Sequence, residues 1–187
     1  MPLATPNNVD SIRAWDQVDI YTGVVGTTLP TDTTTALAVG FTAMGLMSDD
    51  ELTRTHNVDR NELRAFGGQL VRVKRQAQSL QLVWTALENT HKVWQMANPG
   101  STAVTATGVT TRTVKAQTFA QVAMVIHAVE GTIRTRLVIP KAEIFSDGDS
   151  KLGPSGMYER PMTAMVYPDS TGTLYLEITD DIAAASS

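Results

Sequence analysis

The stretch that decides the fold is QLVRVKRQAQSLQLVWTAL, residues 69–87. Apolar and charged residues alternate along it, and a period of two is typical of a β-strand with one buried face. The apolar residues change parity after Ser79, so that Leu80 lies on the face of Arg72 rather than on that of Val71. This change predicts either a β-bulge or a strand that crosses from one environment into another.

The rest of the chain predicts mainly strands. Segments rich in threonine and valine, or alternating in polarity, are typical of strands and are separated here by glycine-containing turns. The predicted strand segments are 18–27, 46–56, two short strands around Gly108 within 102–114, a long hairpin over 117–139 and a last hairpin over 160–179. Residues 57–68 are rich in charge and end in Phe-Gly-Gly, so a long loop is predicted there.

Two short helices are predicted among these strands. The first carries the apolar residues of 36–44, with Asp32 or Thr33 as its cap and Gly45 as its end. The second covers residues 89–97, which begin with Asn-Thr and are followed by Asn-Pro. The expected fold class is therefore mainly β, a sandwich or barrel of antiparallel sheets with one or two short α-helices.

The length of 187 residues fits one domain, since single domains run from about 50 to 250 residues. Residues 1–17 contain two prolines and little periodicity, which predicts an N-terminal arm. Residues 18–180 form the predicted β domain, with a long charged hairpin loop at about 49–68, and residues 181–187 form a C-terminal tail.

Composition narrows the classes of function. A net charge of -4 lacks the basic excess that phosphate neutralisation requires, so tight nucleic-acid binding is not expected. The absence of cysteine excludes disulfides, thiolate zinc sites and cysteine nucleophiles. Because no apolar run approaches the roughly 18 residues of a membrane helix, and the N-terminus does not resemble a secretory signal, neither a membrane span nor a leader is expected.

Catalytic and metal-binding patterns are also missing from the sequence. His56, His91 and His127 are far apart in the chain and have no metal-ligand spacing around them. The segment SDGDS, residues 146–150, lacks the further oxygen ligands of a calcium loop. Without a phosphate-binding loop or a nucleophile motif, we expect no enzymatic activity, no metal and no cofactor.

The charged segment 49–75 is the strongest candidate for a functional surface. It carries acidic and basic residues along one strand, the following loop and the next strand. A solvated hairpin would explain this pattern, and so would a self-complementary contact in which the loop pairs with a neighbouring copy of the chain.

Two stretches resemble a known family. They are LPTDTTTALAVGFTAMGLMSDDELTRTHNVDRNELRAFGGQLVRV, residues 29–73, and RPMTAMVYPDSTGTLYLEITD, residues 160–180. The order of the Pro-Thr-Asp start, the Met-Gly-Leu exit, the acidic pair before Leu-Thr and the final Phe-Gly-Gly is similar to that of the major tail tube proteins of long, non-contractile-tailed phages, especially those of actinobacterial hosts.

The resemblance implies a structural virion protein that forms hexameric rings, which stack into the tail tube through which DNA is ejected. Its expected partners are further copies of itself, the tail terminator, tape measure and distal tail proteins, and double-stranded DNA that passes without specific binding. The expected location is the virion tail, after synthesis in the host cytoplasm.

The resemblance also suggests where the contacts lie. The expected ring-stacking residues are Asp49, Asp50, Glu51, Arg54, Arg60, Glu62 and Arg64. The expected residues of lumen-lining strands are Arg72, Lys74, Gln76, Gln78, Gln117 and Gln121.

Two alternatives stay open at this point. A secreted tube protein of a contractile injection system would share the fold and the rings, but would need no DNA-compatible lumen. A monomeric ligand-binding β-barrel would place Trp84, Trp94 and Phe119 around a cavity, although core packing is the interpretation favoured for the tryptophans.

Overall fold

The computed structural model describes residues 12–49, 52–150 and 158–180, and it is built mainly of antiparallel strands. The elements in chain order are β1 Gln17–Val24, β2 Thr42–Ala43, β3 Thr53–Arg64, β4 Leu70–Ala86, α1 His91–Ala97, β5 Thr102–Ala106, β6 Val109–Thr113, β7 Gln121–Glu130, β8 Ile133–Phe145, β9 Arg160–Val166 and β10 Leu176–Thr179. The mainly β fold class predicted from the sequence is confirmed. Residues 1–11 of the predicted arm and the predicted tail 181–187 lie outside the described residues.

One eight-stranded sheet forms the body of the protein: seven strands follow the order β2-β1-β7-β8-β9-β4-β3, and the eighth, β10, pairs with β8 outside this order. The long strand β8 organises it, because its beginning pairs with β10 and its end pairs with β9, while β7 pairs along its other edge. Strands β5 and β6 form a separate two-stranded sheet.

Residues 42–48 connect the two ends of this sheet and give it a barrel-like form. β2 pairs with β1, and the Met44 amide donates to the Ile20 carbonyl at 2.8 Å. A few residues later the Ser48 amide donates to the Thr85 carbonyl of β4 at 2.9 Å. Gly45 permits this crossing, since its φ is +81° and an added Cβ would lie 2.5 Å from the Glu88 carboxylate.

The interior of the barrel holds the hydrophobic core. It contains alternate residues of the strands, fully buried, among them Ile20, Leu80, Leu82, Trp84, Met124, Ile139, Ile144 and Met162. Helix α1 adds Val93 and Ala97 to the same core, and the Thr90 hydroxyl caps it by accepting a hydrogen bond from the Val93 amide. The helix predicted at residues 89–97 is therefore present.

A β-bulge explains the change in parity within β4. The pairing between β3 and β4 shifts between Val58 and Arg60, which lie opposite Gln78 and Arg75. Two residues of β3 thus correspond to three of β4, and the extra residue returns Val73 to the face that carries Leu80 further along the strand. Both predicted explanations are confirmed, because β4 contains the bulge and also passes from an exposed part, residues 70–74, into the core at Leu80.

The helix predicted over residues 36–44 is wrong. Residues 31–45 are all described, and they form bends, bridges and the short strand β2. Asp32 does accept hydrogen bonds from the amides of Thr34 and Thr35, at 2.7 and 2.6 Å, but these belong to a turn and not to a helix N-terminus. The run of β-branched threonines has low helix propensity, and the backbone carbonyls find a partner in another strand instead.

Two predictions about connections are also wrong. The predicted loop over 57–68 is mostly strand, because β3 continues to Arg64 and leaves a turn of five residues before β4. Residues 160–179 do not form a hairpin: within the described strands, β9 pairs with β4 and β8, while β10 pairs with β8. After β9 the chain turns at Asp-Ser-Thr-Gly, and β10 then pairs with an earlier part of β8 instead of with β9.

Candidate functional site

The outer half of the β3–β4 hairpin projects beyond the sheet. Strand β9 pairs with β4 only from Leu80 onwards, so residues 70–79 pair with β3 alone among the described strands. Ten extended residues correspond to a projection of about 33 Å. Within 57–74 every described side chain is exposed except the half-buried Val58. This part of the hairpin, residues 57–79, is called the projecting hairpin below.

Apolar side chains are exposed at the end of the projecting hairpin. Phe66 is fully exposed, at 111%, on a turn that uses positive φ angles at Gly67 and Gly68. The other exposed apolar residues near it are Leu63, Leu70, Val71 and Val73. This group, the apolar tip, was missed in the sequence because its residues were interpreted as loop or as the buried face of a strand. The signal was present in the valines of Val-Arg-Val and in Phe-Gly-Gly.

The predicted ring-stacking residues fall into two groups. Near the tip, Arg64 forms an ion pair with Glu62 at 2.6 Å and donates to the Gly68 carbonyl at 3.0 Å, while Arg60 is exposed. Near the base of β3, Asp49 is exposed. Asp50 and Glu51 lie outside the described residues.

Arg54, also at the base, is engaged within its own subunit. It lies 3.4 Å from the Glu177 carboxylate of β10, with its guanidinium 5.4 Å from the ring centre of Tyr175. The side chains of the ion pair are 41% and 49% exposed, so the pair adds little stability. The contact does join the start of β3 to β10 across the barrel.

The predicted lumen residues are also divided. Arg72 and Lys74 are exposed on β4, opposite Leu63 and Asn61 of β3. Gln78 is exposed further along β4, and its amide nitrogen lies 2.7 Å from Nε2 of His56. All three belong to the projecting hairpin.

The remaining lumen candidates are Gln76, which also belongs to this hairpin, and Gln121 and Gln117, which do not. The side chain of Gln76 lies outside the described residues. Gln121 is exposed as the first residue of β7, opposite Glu143. The prediction that Gln117 lies on a strand is wrong, because it belongs to the connection before β7.

A wide groove opens at one end of the barrel, with a volume of about 1120 Å³. Its floor is apolar and includes Ile126 and Ala128 of β7 and Leu137 of β8. Its rim includes Trp15 and Leu46, both exposed. The charged residues around it are Arg13, Asp16, Asp19, Asp49, Arg54 and Glu177. This feature is called the barrel-mouth groove below.

The aromatic cavity of the ligand-binding alternative is not formed. Trp84 and Trp94 are buried, at 2% and 5% exposure, and contribute to the core instead of lining an opening. Phe119 is exposed and contacts Phe145 edge to face, with ring centres 6.0 Å apart. None of the three residues lines the barrel-mouth groove.

A buried guanidinium fixes the segment after Pro30 to the outside of the barrel. Arg136 of β8 is 6% exposed and donates from Nη1 to the carbonyls of Asp32 and Thr35, at 2.8 and 2.9 Å. Its Nε lies 3.1 Å from Nδ1 of His127 on β7. The Thr33 hydroxyl donates to the Asp180 carboxylate, which ties the same segment to the residue that follows β10.

A comparison with protein families identifies the family of this chain. A family model described as "Phage tail tube protein" matches residues 5–187. The chain belongs to the phage tail tube protein family. This makes it a structural component of the phage tail, in agreement with the resemblance found in the sequence. A search of curated proteins finds no match.

Two further observations concern the described part of this tail tube protein. None of its helices has the length and apolarity that crossing a membrane requires. The same residues contain no group of three or more His, Asp or Glu side chains arranged as metal ligands.

The environment of His127 gives the tail tube protein a testable pH dependence. Burial lowers the pKa of His127 below its ordinary value of 6.5, and the Arg136 cation lowers it further against the opposing charge of Asp19. The unfolded chain therefore binds a proton at a pH where the folded chain does not, and the free energy of unfolding should fall as the pH drops below about 6.5.

We expect His127→Asn to flatten this dependence below about pH 6.5, because an amide oxygen can accept from Arg136 but binds no proton. The Asp32 carboxylate does not titrate in this window, since hydrogen bonds led by the Thr35 hydroxyl lower its pKa to about 2. Urea unfolding at a series of pH values measures the slope. An equal slope in both proteins would contradict this role of His127.

Proposed function

We propose that this tail tube protein assembles into six-membered rings that stack into the tail tube, and that the tube conducts DNA into the host cell. The observation that supports this best is the projecting hairpin. Eight residues of β3 and ten of β4 extend beyond the pairing with β9, and the described side chains of residues 57–74 are exposed except for the half-buried Val58.

A two-stranded hairpin in water is marginally stable at best, and exposed strand edges invite pairing with other chains. The apolar tip adds several large side chains to this exposed surface. Such a surface is explained if neighbouring copies cover it. Edge pairing within a ring and contact between rings would together bury the hairpin that the single subunit leaves exposed.

The proposed ring-stacking residues are Asp49, Asp50, Glu51, Arg54, Arg60, Glu62 and Arg64. Arg60, Glu62 and Arg64 support this proposal best, since they are exposed beside the apolar tip. Arg54 is already paired with Glu177, so it would act through the position of β3 or exchange its partner on assembly.

For the lumen we propose strands that include Arg72, Lys74, Gln76, Gln78 and Gln121. A wall that neutralised many phosphates would hold DNA through counterion release. The proposed lumen residues are mostly neutral glutamines with two cations, and the chain has a net charge of -4. Such a wall favours DNA that slides rather than DNA that binds tightly. The tube would then meet the tail terminator, tape measure and distal tail proteins at its ends and along its length.

Negative-stain electron microscopy of the purified protein tests the proposal. We expect rings at low protein concentration and tubes of uniform width at high concentration, with sixfold symmetry in end-on views. Monomers at every concentration and salt condition would contradict both the rings and the tube. Free rings that never stack would instead favour the secreted-tube alternative.

A further inference from the structure

We propose that the barrel-mouth groove is the socket that receives the apolar tip of the projecting hairpin from a second copy of this chain. The inference rests on the proposed stacking function and specifies its contact. In the hypothesis drawn from the sequence, the charged loop pairs with the same loop of a neighbouring copy. In this proposal, the hairpin instead inserts into a different surface of the next subunit.

The size and lining of the barrel-mouth groove fit a segment of polypeptide. Its volume of about 1120 Å³ is large enough for several side chains of a hairpin end. The floor consists of strand side chains whose faces are otherwise part of the core, including Ile126 and Leu137. Ile126 and Ala128 are only 3% and 8% exposed, so the free energy gained when apolar side chains displace water comes mainly from the exposed rim residues Trp15 and Leu46.

The apolar tip supplies matching side chains. Phe66 stands at the end of the turn with no part of its surface covered, and Leu63, Leu70 and Val71 are exposed beside it. A large aromatic residue inserted into an apolar pocket is the usual central anchor of a protein interface. Phe66 would be that anchor, with the three aliphatic residues around it.

The charges around the two surfaces are opposite in balance. The barrel-mouth groove has four carboxylates against two guanidiniums. The hairpin between residues 59 and 74 has four cations against two carboxylates, Asp59 and Glu62. Two of these cations, Arg72 and Lys74, are also proposed lumen residues, so their charge would attract the groove from a distance and only Arg60 and Arg64 would enter it. Since opposite potentials steer and orient association, the groove favours this hairpin over an acidic segment.

A subunit does not fill its own groove. Arg54 lines the groove and Phe66 lies twelve positions further along an extended strand, which corresponds to about 40 Å. The full exposure of Phe66 shows directly that it contacts no such surface in its own subunit. Insertion into another copy joins two different surfaces, and this heterologous contact can repeat without end along an axis, as a tube requires.

The other occupant to consider is the N-terminal segment 1–11 of a copy of this chain. It contains Asp10 as its one charged side chain and has no Lys or Arg. A segment without cationic side chains offers less to the acidic balance of the groove than the hairpin does. The charges therefore favour the hairpin.

Disulfide trapping tests the contact cleanly because the chain contains no cysteine. The double variant Phe66→Cys/Leu46→Cys places one thiol on the apolar tip and one on the groove rim, where Leu46 is 68% exposed. A disulfide requires Cα atoms within about 7 Å, so a bond within one subunit is excluded by the distance along β3. We expect oxidation of assembled tubes to yield a ladder of covalent multimers on non-reducing gels.

The matched control is Phe66→Cys/Val39→Cys. Val39 is also fully exposed, at 104%, but does not line the groove. We expect this variant to give no ladder beyond that of Phe66→Cys alone. Equal ladders from both double variants, or no ladder from oxidised tubes of the groove variant, would overturn the socket while leaving the tube itself established.

A second pair of variants keeps the inference testable if cysteines disturb assembly. Leu46→Lys adds a cation at the groove rim, where the basic hairpin would arrive, and should raise the protein concentration needed for tubes by roughly tenfold, about 1.4 kcal/mol. Val39→Lys adds the same charge elsewhere and should leave that concentration unchanged. Equal effects would overturn the socket, whereas wild-type protein that forms no tubes would overturn the stacking function on which it rests.

Discussion

A chain without the projecting hairpin is expected to fold normally and to form no tubes. The structure allows a precise deletion, because Asn57 and Ser79 are directly opposite each other in the β3–β4 pairing. Replacing residues 58–78 by Asn-Gly would close the strands with a two-residue turn of the kind preferred in hairpins. The shortened hairpin keeps its pairing with β9, which begins at Leu80.

The folded subunit should lose little stability in this variant. None of the described side chains among the deleted residues belongs to the hydrophobic core, and the midpoint of thermal unfolding should stay within about 3 °C of the wild-type value. Tube formation should require a protein concentration at least roughly 100-fold higher, or about 2.8 kcal/mol per contact. Circular dichroism and electron microscopy of the same sample measure the two quantities.

A matched deletion in the β5–β6 hairpin provides the control. Ala103 and Arg112 are opposite each other there, so residues 104–111 can be replaced by the same Asn-Gly turn. This variant removes another exposed hairpin with exposed valines, and we expect it to form tubes. Normal tubes from the β3–β4 deletion would contradict the role of the projecting hairpin, and loss of tubes in both variants would show that the role is not specific to it.

The strands were predictable from the sequence because their information is local. The alternation in residues 69–87 predicted β4 almost to its ends, and even the change in parity was readable as a bulge. Thr90 and the Asn-Pro stop likewise predicted α1, since a cap and a stop act within one turn of the helix.

The errors arose where distant residues decide the conformation. Residues 36–44 have a helix-like apolar spacing, but their neighbours are held by Arg136, about a hundred positions away. Residues 160–179 have the pattern of a hairpin, yet β8 offers both strands a place along the same edge. A local sequence pattern contains no information about a distant segment that competes for the same hydrogen bonds in the folded chain.

The candidate surfaces also differ in how far they could be predicted from the sequence. The charged segment could be predicted, because a run of both signs with few apolar residues is visible in the sequence. The apolar tip was harder, since alternating valines usually indicate a buried face and only the end of β9 at Val166 shows that nothing covers them. The barrel-mouth groove was not predictable, because its lining combines five separate segments of the chain.

The second large effect is expected at Arg136, where Arg136→Met should destabilise the subunit by about 3 kcal/mol. The substitution removes two hydrogen bonds from a buried guanidinium to the carbonyls of Asp32 and Thr35, and a hydrogen bond that involves a charged group contributes about 1.5–3 kcal/mol. Methionine keeps much of the apolar volume of the arginine side chain, so the loss of stability measures mainly the removal of the guanidinium. For a chain of this size the thermal midpoint should fall by roughly 9 °C.

Arg134→Met is the matched control, two positions earlier on the same face of β8. Its guanidinium pairs with Asp180 at 3.1 Å, but the side chain is 40% exposed, so the loss should stay below about 1 kcal/mol. Both variants must be compared at one low protein concentration, because assembly would stabilise folded subunits by mass action. Equal losses would mean that Arg136 acts as a surface charge. The expected difference would instead show that one buried cation holds residues 31–35, which the sequence assigned to the start of a helix, against the barrel.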